Sequence, residues 1–226
     1  FCLSRGLGDV YKRQIIDPIR EKYGSKVLVE GCSIAGRNFE EQVGVLKERL
    51  FEVSPVVPTA VFTGDTLFAF SPKFLEEHVR VMDENNCKPQ IAVHTAGDVD
   101  NCERYLIKSK LLRKPYYWII LHGLPGCTPM PNAKAMCEGL LLTVNRIKEV
   151  DEESVIMVCA AGRASIYLTT LAILLGFHVR VGMEDTLWKY PHKNELLTSN
   201  GEATLSIIQI AKQLGRTVAS AEDYRR

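Results

Sequence analysis

The chain has 226 residues, 46% of them hydrophobic and 24% charged, with a net charge of +1. That length and balance fit one large globular domain or two small ones, and with no basic block they give no footprint for nucleic acid or an anionic membrane. The longest apolar run, 168–177, is broken by Thr169, Thr170 and Gly176 and is too short to span a bilayer. The seven cysteines, an odd number with no C-x-x-C pair, read as reduced cytosolic thiols rather than a disulfide framework or a zinc ribbon.

The first stretch, FCLSRGLGDVYKRQ (1–14), shows no helical or strand period and no charged segment followed by an apolar one, as a signal peptide has. It reads as a non-native, cloning-derived leader, and the domain is expected over 15–226. From there one pattern repeats: a short apolar run rich in β-branched residues, a loop, then an amphipathic helix. The predicted strands are KVLVEG (26–31), TAVFTG (59–64), PQIAVHT (89–95), YYWIILHG (116–123), SVIMVCA (154–160) and HVRVGME (178–184). Between them, NFEEQVGVLKERLFEV, PKFLEEHVRVMDENN, DVDNCERYLIKSKLL and NAKAMCEGLLLTVNRIKEV carry apolar residues at three- and four-residue spacing. Asn38 with Glu41 three residues on resembles a capping box, Pro72 suits a first helical position, and Gly176 and Gly215 mark helix stops.

Six consecutive βα units, repeating every roughly 25–38 residues, mean parallel strands with right-handed crossovers. The strands end in polar groups, Glu30, Thr63, His94, His122 and Glu184, and no G-x-G-x-x-G or G-x-x-x-x-G-K-[ST] occurs. Both points favour a (β/α)8 TIM barrel over a doubly wound nucleotide-binding sheet, with about six units present and the first two missing. Unpaired edges are then expected at KVLVEG and HVRVGME, and with them a chain prone to aggregate.

Within HVRVGME, alternation puts His178, Arg180, Gly182 and Glu184 on one face and Val179, Val181 and Met183 on the other. With the apolar face toward the helices, Arg180 and Glu184 point into the barrel and Asp185 opens the loop at the strand top, where barrel enzymes place their chemistry. A carboxylate there suits a divalent metal, its neighbour a general base, and the arginine a substrate carboxylate. Arg180 and Glu184 also read as a structural ion pair. His94 and His122 are further candidates at strand ends, and the AAGRAS segment (160–165) offers backbone N–H groups ahead of a helix. No lysine lies in the C-terminal half of a strand, against a Schiff-base aldolase.

The segment 162–202, with R-x-G-x-E-D at 180–185 followed by NELLTSN (194–200), resembles the last βα unit of the β-keto acid cleavage enzymes, the family of the 3-keto-5-aminohexanoate cleavage enzyme. LHGLPGCTPMP and TAVFTGDTLF are similar to that family's strand-six and strand-four segments. The resemblance implies a cytoplasmic, homo-oligomeric TIM barrel that exchanges carbon skeletons between a β-keto acid and acetyl-CoA, giving acetoacetate and a new acyl-CoA. It implies a divalent metal, zinc above all, with Glu184 as a ligand, Asp185 as general base and Arg180 orienting the substrate, and Ser33 and Thr63 as substrate contacts. The family's other ligands, a His-x-His, do not occur in this sequence, so the chain alone is expected to bind zinc poorly and to be inactive. GCSIAG puts Cys32 and Ser33 where Ser-Thr-Gly-Gly is common, and Gln90 and Ala92 stand where amino-acid-degrading members have carboxylates, which implies a keto acid without positive charge. Two alternatives stay open: another metal-dependent aldolase or lyase on the same barrel, and a non-catalytic paralogue that binds a carboxylate or CoA metabolite.

Overall fold

Helix boundaries follow local chemistry. In the computed structural model, which describes residues 9–34, 38–63, 66–124 and 132–225 without the side chains of 9–11, 62, 63 and 66, the first helix is α1 (Asp9–Tyr23). It reaches back to Asp9, into residues that carry no helical period. In α2 (Phe39–Lys47), the Asn38 side chain accepts the Glu41 N–H at 2.9 Å, the expected N-cap. Ser71 caps α3 (Pro72–Glu84) through the Phe74 N–H, with Pro72 in the first turn. That helix buries Leu75, His78, Val79 and Met82, one face at three- and four-residue spacing. A Thr95–Asp98 capping box opens α4 (Ala96–Cys102), which runs into a π-turn, and Asn132 caps α5 (Ala133–Val150). After α6 (Ser165–Leu175), Gly176 takes the left-handed conformation, φ 91°, that stops the helix without a side-chain penalty. Two further helices, α7 (Asn200–Gln213) and α8 (Ala221–Arg225), complete the chain.

The main sheet contains β1 (Val53–Val56), β4 (Lys88–Val93), β5 (Tyr117–His122), β6 (Val155–Ala160) and β7 (His178–Val179), all parallel and in that order across the sheet. The segment before β1 joins the same edge through a single parallel bridge, Glu30 to Val53. The architecture is therefore an α/β barrel of the TIM type, incomplete, with parallel strands joined through helices on the outer face. Ile91, Val93, Trp118, Ile120, Ile156 and Val158 from three adjacent strands form the middle of its core with the helix faces.

The second strand differs from the sequence reading. Residues 60–63 are not a barrel strand; β2 (Ala60–Thr63) and β3 (Thr66–Ala69) pair antiparallel in the connection from β1 to α3. The barrel strand is Val53–Val56, which starts at the last residue of the run read as the preceding helix and continues through residues assigned to no element. That helix stops at Lys47, and Arg49 follows with φ 51°. Pro55, which would interrupt a central ladder, is accommodated because its strand lies next to an edge held by one bridge. Thr63 accordingly sits in this antiparallel pair and not at the top of a barrel strand, and its side chain lies outside the described residues.

The N-terminal ends of the strands are closed by the C-terminus. The Arg225 guanidinium donates to both Glu52 carboxylate oxygens at 2.8 and 3.0 Å and to the Ser25 and Val27 carbonyls at 2.7 and 2.8 Å. The Tyr224 ring meets that of Tyr117 edge-on at 5.1 Å. The opposite, C-terminal ends remain open.

Candidate active site

A cavity of about 630 Å³ lies at those C-terminal ends, and its wall includes Glu30, Gln90, His122, Cys159, Arg180, Glu184 and Asp185. A second cavity, of about 400 Å³, lies beneath α8 at the other end. Parallel α/β barrels place chemistry at strand C-termini, and the acidic and basic groups of the upper cavity agree with that.

Arg180 is the centre of the upper site. Its backbone N–H still donates to Val158 of β6 at 3.0 Å, extending the sheet by one residue beyond β7. Its side chain makes a fork onto Asp185, Nη2 to Oδ1 at 2.8 Å and Nε to Oδ2 at 3.4 Å, and Nη2 lies 3.4 Å from Glu184 Oε2. Burial disfavours the guanidinium charge, but the surrounding Cys159, Asp185 and Glu184 outweigh it, and Arg180 holds its proton more tightly than usual. Burial, followed by the neighbouring Asp185 charge, pushes the Cys159 thiol well above its ordinary range.

Asp185 is held by backbone. Gly182 turns the chain so that its carbonyl accepts from Asp185 and Thr186, both at 3.1 Å, and the Asp185 carbonyl accepts the Gly162 N–H at 2.8 Å. The Asn200 side chain accepts the Met183 N–H at 2.7 Å, fastening this turn to the start of α7. Arg163 lies 3.7 Å from the Trp188 ring centroid and donates to the Lys193 carbonyl at 2.8 Å and to Asn194 Oδ1 at 2.5 Å. The NELLTSN stretch is thus a brace for the loop that carries Asp185.

The sequence reading brought Arg180, Glu184 and Asp185 together, and the structure does the same. Alternation is not the whole reason: regular strand ends at Val179, a turn follows, and Val179 and Val181 line the cavity as well. Ser33 lies apart from Arg180, Glu184 and Asp185. It is 1% exposed, its Oγ 2.7 Å from Ser54 Oγ and 2.9 Å from His78 Nε2, so it joins the interior behind the wall while Cys32 faces the cavity. Buried His78 supplied the partner that turns Ser33 inward, and no pattern in the sequence marked it.

Gln90, expected only as the lack of a carboxylate, donates to Glu30 Oε2 at 3.1 Å. Glu30 is pushed up by burial, with Arg180 and the Gln90 hydrogen bond acting against the rise. Among the described residues the wall therefore gathers the carboxyl groups of Glu30, Glu184 and Asp185 around Arg180. Gln90 and Ala92, the positions without carboxylates, line the same wall beside Glu30. A metal is a different matter: among the described residues no group of three or more His, Cys, Asp or Glu side chains is placed to hold one. Glu184 by itself does not make a metal centre.

His122 ends β5 with its side chain 1% exposed, and burial, then neighbouring His94, lowers it to about 4, so the ring is neutral at pH 7. His94 is held differently, with Nδ1 3.6 Å from Asp98 Oδ2 in the α4 capping box. The helix start at 160–165 gives Ala161 to the cavity wall and turns Arg163 toward the 191–194 loop. Residues 125–131 of the LHGLPGCTPMP segment lie outside the described residues. Among the described residues no helix is long and apolar enough to cross a membrane.

Comparison with known proteins gives a consistent result. The family model of the beta-keto acid cleavage enzymes matches residues 9–226. The 3-keto-5-aminohexanoate cleavage enzyme of Fusobacterium nucleatum is 30% identical over 168 residues, 74% of this chain and 57% of that protein. The 3-dehydrocarnitine:acetyl-CoA trimethylamine transferase of Rhizobium meliloti is 25% identical over 199 residues, 87% of this chain and 62% of that protein. The chain thus spans less than two thirds of the length of these relatives. Among solved structures, the binary complex of ObcA with oxaloacetate superimposes with a TM-score of 0.75 at 17% identity, over 95% of this chain and 54% of that one, a likeness of fold. With its family model matched along nearly its whole length, this chain belongs to the β-keto acid cleavage enzyme family.

Proposed function

We propose that this chain carries the base-bearing wall of an enzyme that converts a β-keto acid and acetyl-CoA into acetoacetate and a new acyl-CoA. The observation that carries the reading is the Arg180 fork on Asp185 inside the open cavity, with Glu184 beside it. Nε and Nη2 of Arg180 fix the orientation of the Asp185 carboxylate, and Nη1, outside these contacts, is the group offered to the substrate's carboxylate. The Asp185 carboxylate accepts a proton from the carbon between the two carbonyl groups. That carbon then attacks the acetyl thioester and expels the CoA thiolate, the thiolate attacks the former β-keto carbonyl, the original bond between that carbonyl and the α-carbon breaks, and the α-carbon takes back the proton held by Asp185 to give acetoacetate. Atoms balance without a covalent enzyme intermediate.

The resemblance that implies zinc assigns Glu184 as one ligand, and the described residues do not complete that set. Relatives support the CoA partner: the Rhizobium protein is named for acetyl-CoA, and a solved ObcA complex holds a C4-CoA adduct and oxalate.

The test is turnover. The protein, expressed from its full reading frame, is mixed with acetyl-CoA and a panel of β-keto acids, and acyl-CoA products are separated by mass. A new acyl-CoA is expected from at least one keto acid, with Asp185→Asn lowering its rate by two orders of magnitude or more, on the order of a lost general base. No new acyl-CoA from any of them, or an Asp185→Asn protein as active as the wild type, would overturn the reading. The second of these outcomes favours Arg180, Glu184 and Asp185 as a structural ion-pair cluster.

A further inference from the structure

His122 is a buried imidazole for which the mechanism above has no use, and its surroundings leave it incomplete. Its backbone is fixed: the carbonyl accepts the Ala161 N–H at 2.8 Å, and Gly123 follows at φ 77°, where an added Cβ would lie 2.8 Å from the Ala161 carbonyl oxygen. The ring is 1% exposed and stands in the same cavity wall as Arg180 and Asp185. Neither ring nitrogen has a hydrogen-bond partner among the described residues; the His94 backbone lies nearby without reaching hydrogen-bond geometry. His78, equally buried, uses its Nε2 on Ser33 at 2.9 Å.

An unpaired buried donor is costly, on the order of 1–3 kcal/mol, and native proteins keep such a group where something outside the chain completes it. A neutral imidazole presents one N–H donor and one lone pair. Glu184 and Asp185 only accept, and two of the Arg180 nitrogens are taken by them. His122 is thus a donor in this wall that no described residue uses, beside a cavity large enough for a small keto acid.

We infer that His122 donates a hydrogen bond to the β-keto oxygen of the bound substrate, which makes it a further catalytic residue of the proposed reaction. This rests on the reading of the cavity as a keto-acid site. As Asp185 takes the α-proton, negative charge grows on that oxygen, and a fixed N–H aimed at it stabilises the change more than it stabilises the ground state. The proton stays on the imidazole; no bond to His122 forms or breaks.

The test uses acetoacetate as probe, titrated calorimetrically into the wild type, His122→Leu and His122→Gln, with thermal unfolding of each. Wild-type binding is expected, about tenfold weaker in His122→Leu and largely kept in His122→Gln, whose amide restores an N–H. The leucine variant is expected to unfold at the same or a higher temperature than the wild type, because it removes an unpaired polar group; a merely structural histidine would give a lower one. Equal affinity of wild type and His122→Leu overturns the inference alone, as does a leucine variant that is clearly less stable. A wild type that binds no acetoacetate overturns the keto-acid reading and this inference together.

Discussion

Acid should destabilise this fold chiefly through two histidines. His78 and His122 are 0% and 1% exposed, and burial lowers each from an ordinary 6.5 to about 4. A histidine with a lowered value in the folded state binds its proton more readily when unfolded. Its contribution is therefore complete above pH 6.5 and is lost as pH falls from there toward 4. The difference corresponds to about 3 kcal/mol per histidine in the limit, and about 2 kcal/mol is already gone at about pH 5. Together they remove about 4 kcal/mol between about pH 7.5 and about pH 5, a large share of the stability of an ordinary domain. Lowered carboxylates such as Asp98 and Glu52 act in the same direction but only below their unfolded values of 3.8 and 4.5, outside this window. The assay is urea unfolding at both pH values for the wild type, His78→Gln and His122→Leu. Each variant should lose about 2 kcal/mol of the wild-type pH dependence, whatever its stability at the higher pH, with His178, which burial also lowers, acting in the same direction in all three proteins. Variants that keep the full dependence would refute the reasoning, since the protons would then be binding elsewhere.

Three further outcomes follow from local geometry. Arg180→Met leaves Glu30, Glu184 and Asp185 facing one another; with the Arg180 side chain 31% exposed, the expected loss at pH 7 is about 1–3 kcal/mol, below that of a fully buried pair. The gap from wild type should narrow as pH falls, because burial already raises Glu30 and the variant removes the Arg180 charge that acts against that rise, and denaturant curves across the acid range check it. A Cβ at Gly31 would lie 2.1 Å from the Phe51 ring, so Gly31→Ala is expected to cost about 1–3 kcal/mol in urea unfolding, and Phe51→Leu in the same chain should recover part of it. Arg225→Ala removes four hydrogen bonds that tie the C-terminus to Glu52, Ser25 and Val27, and amide exchange in 221–225 should rise to the rate of an exposed segment.

The parts of this fold that were legible in the sequence are those decided by a few neighbouring residues. Asn38, Pro72 and Gly176 announced helix ends, and the apolar runs of β4, β5 and β6 lie where the periodicity put them. The antiparallel pair of β2 and β3 was readable too: two β-rich runs separated by Gly-Asp are a turn signal, but the run 59–64 also fitted the spacing of the barrel strands. Val53–Val56 was obscured by Pro55, whose tolerance depends on a sheet edge that only the fold reveals. In the site, Arg180 and Glu184 reach the cavity, but so do Val179 and Val181, which alternation turned toward the helices, because the chain leaves strand geometry after Val179. The inward turn of Ser33 depends on His78, 45 residues away in the chain, and the contact between Gln90 and Glu30 spans 60. Pairings over such separations leave no local pattern.

The central claim concerns where the carbons go. With acetyl-CoA labelled by ¹³C at the carbonyl, turnover of an accepted β-keto acid by the protein from its full reading frame should place the label at the ketone carbon of acetoacetate and leave the new acyl-CoA unlabelled. Label in the new acyl-CoA, or acetoacetate formed without label, would contradict attack of the deprotonated keto acid on the thioester and with it the role assigned to Asp185.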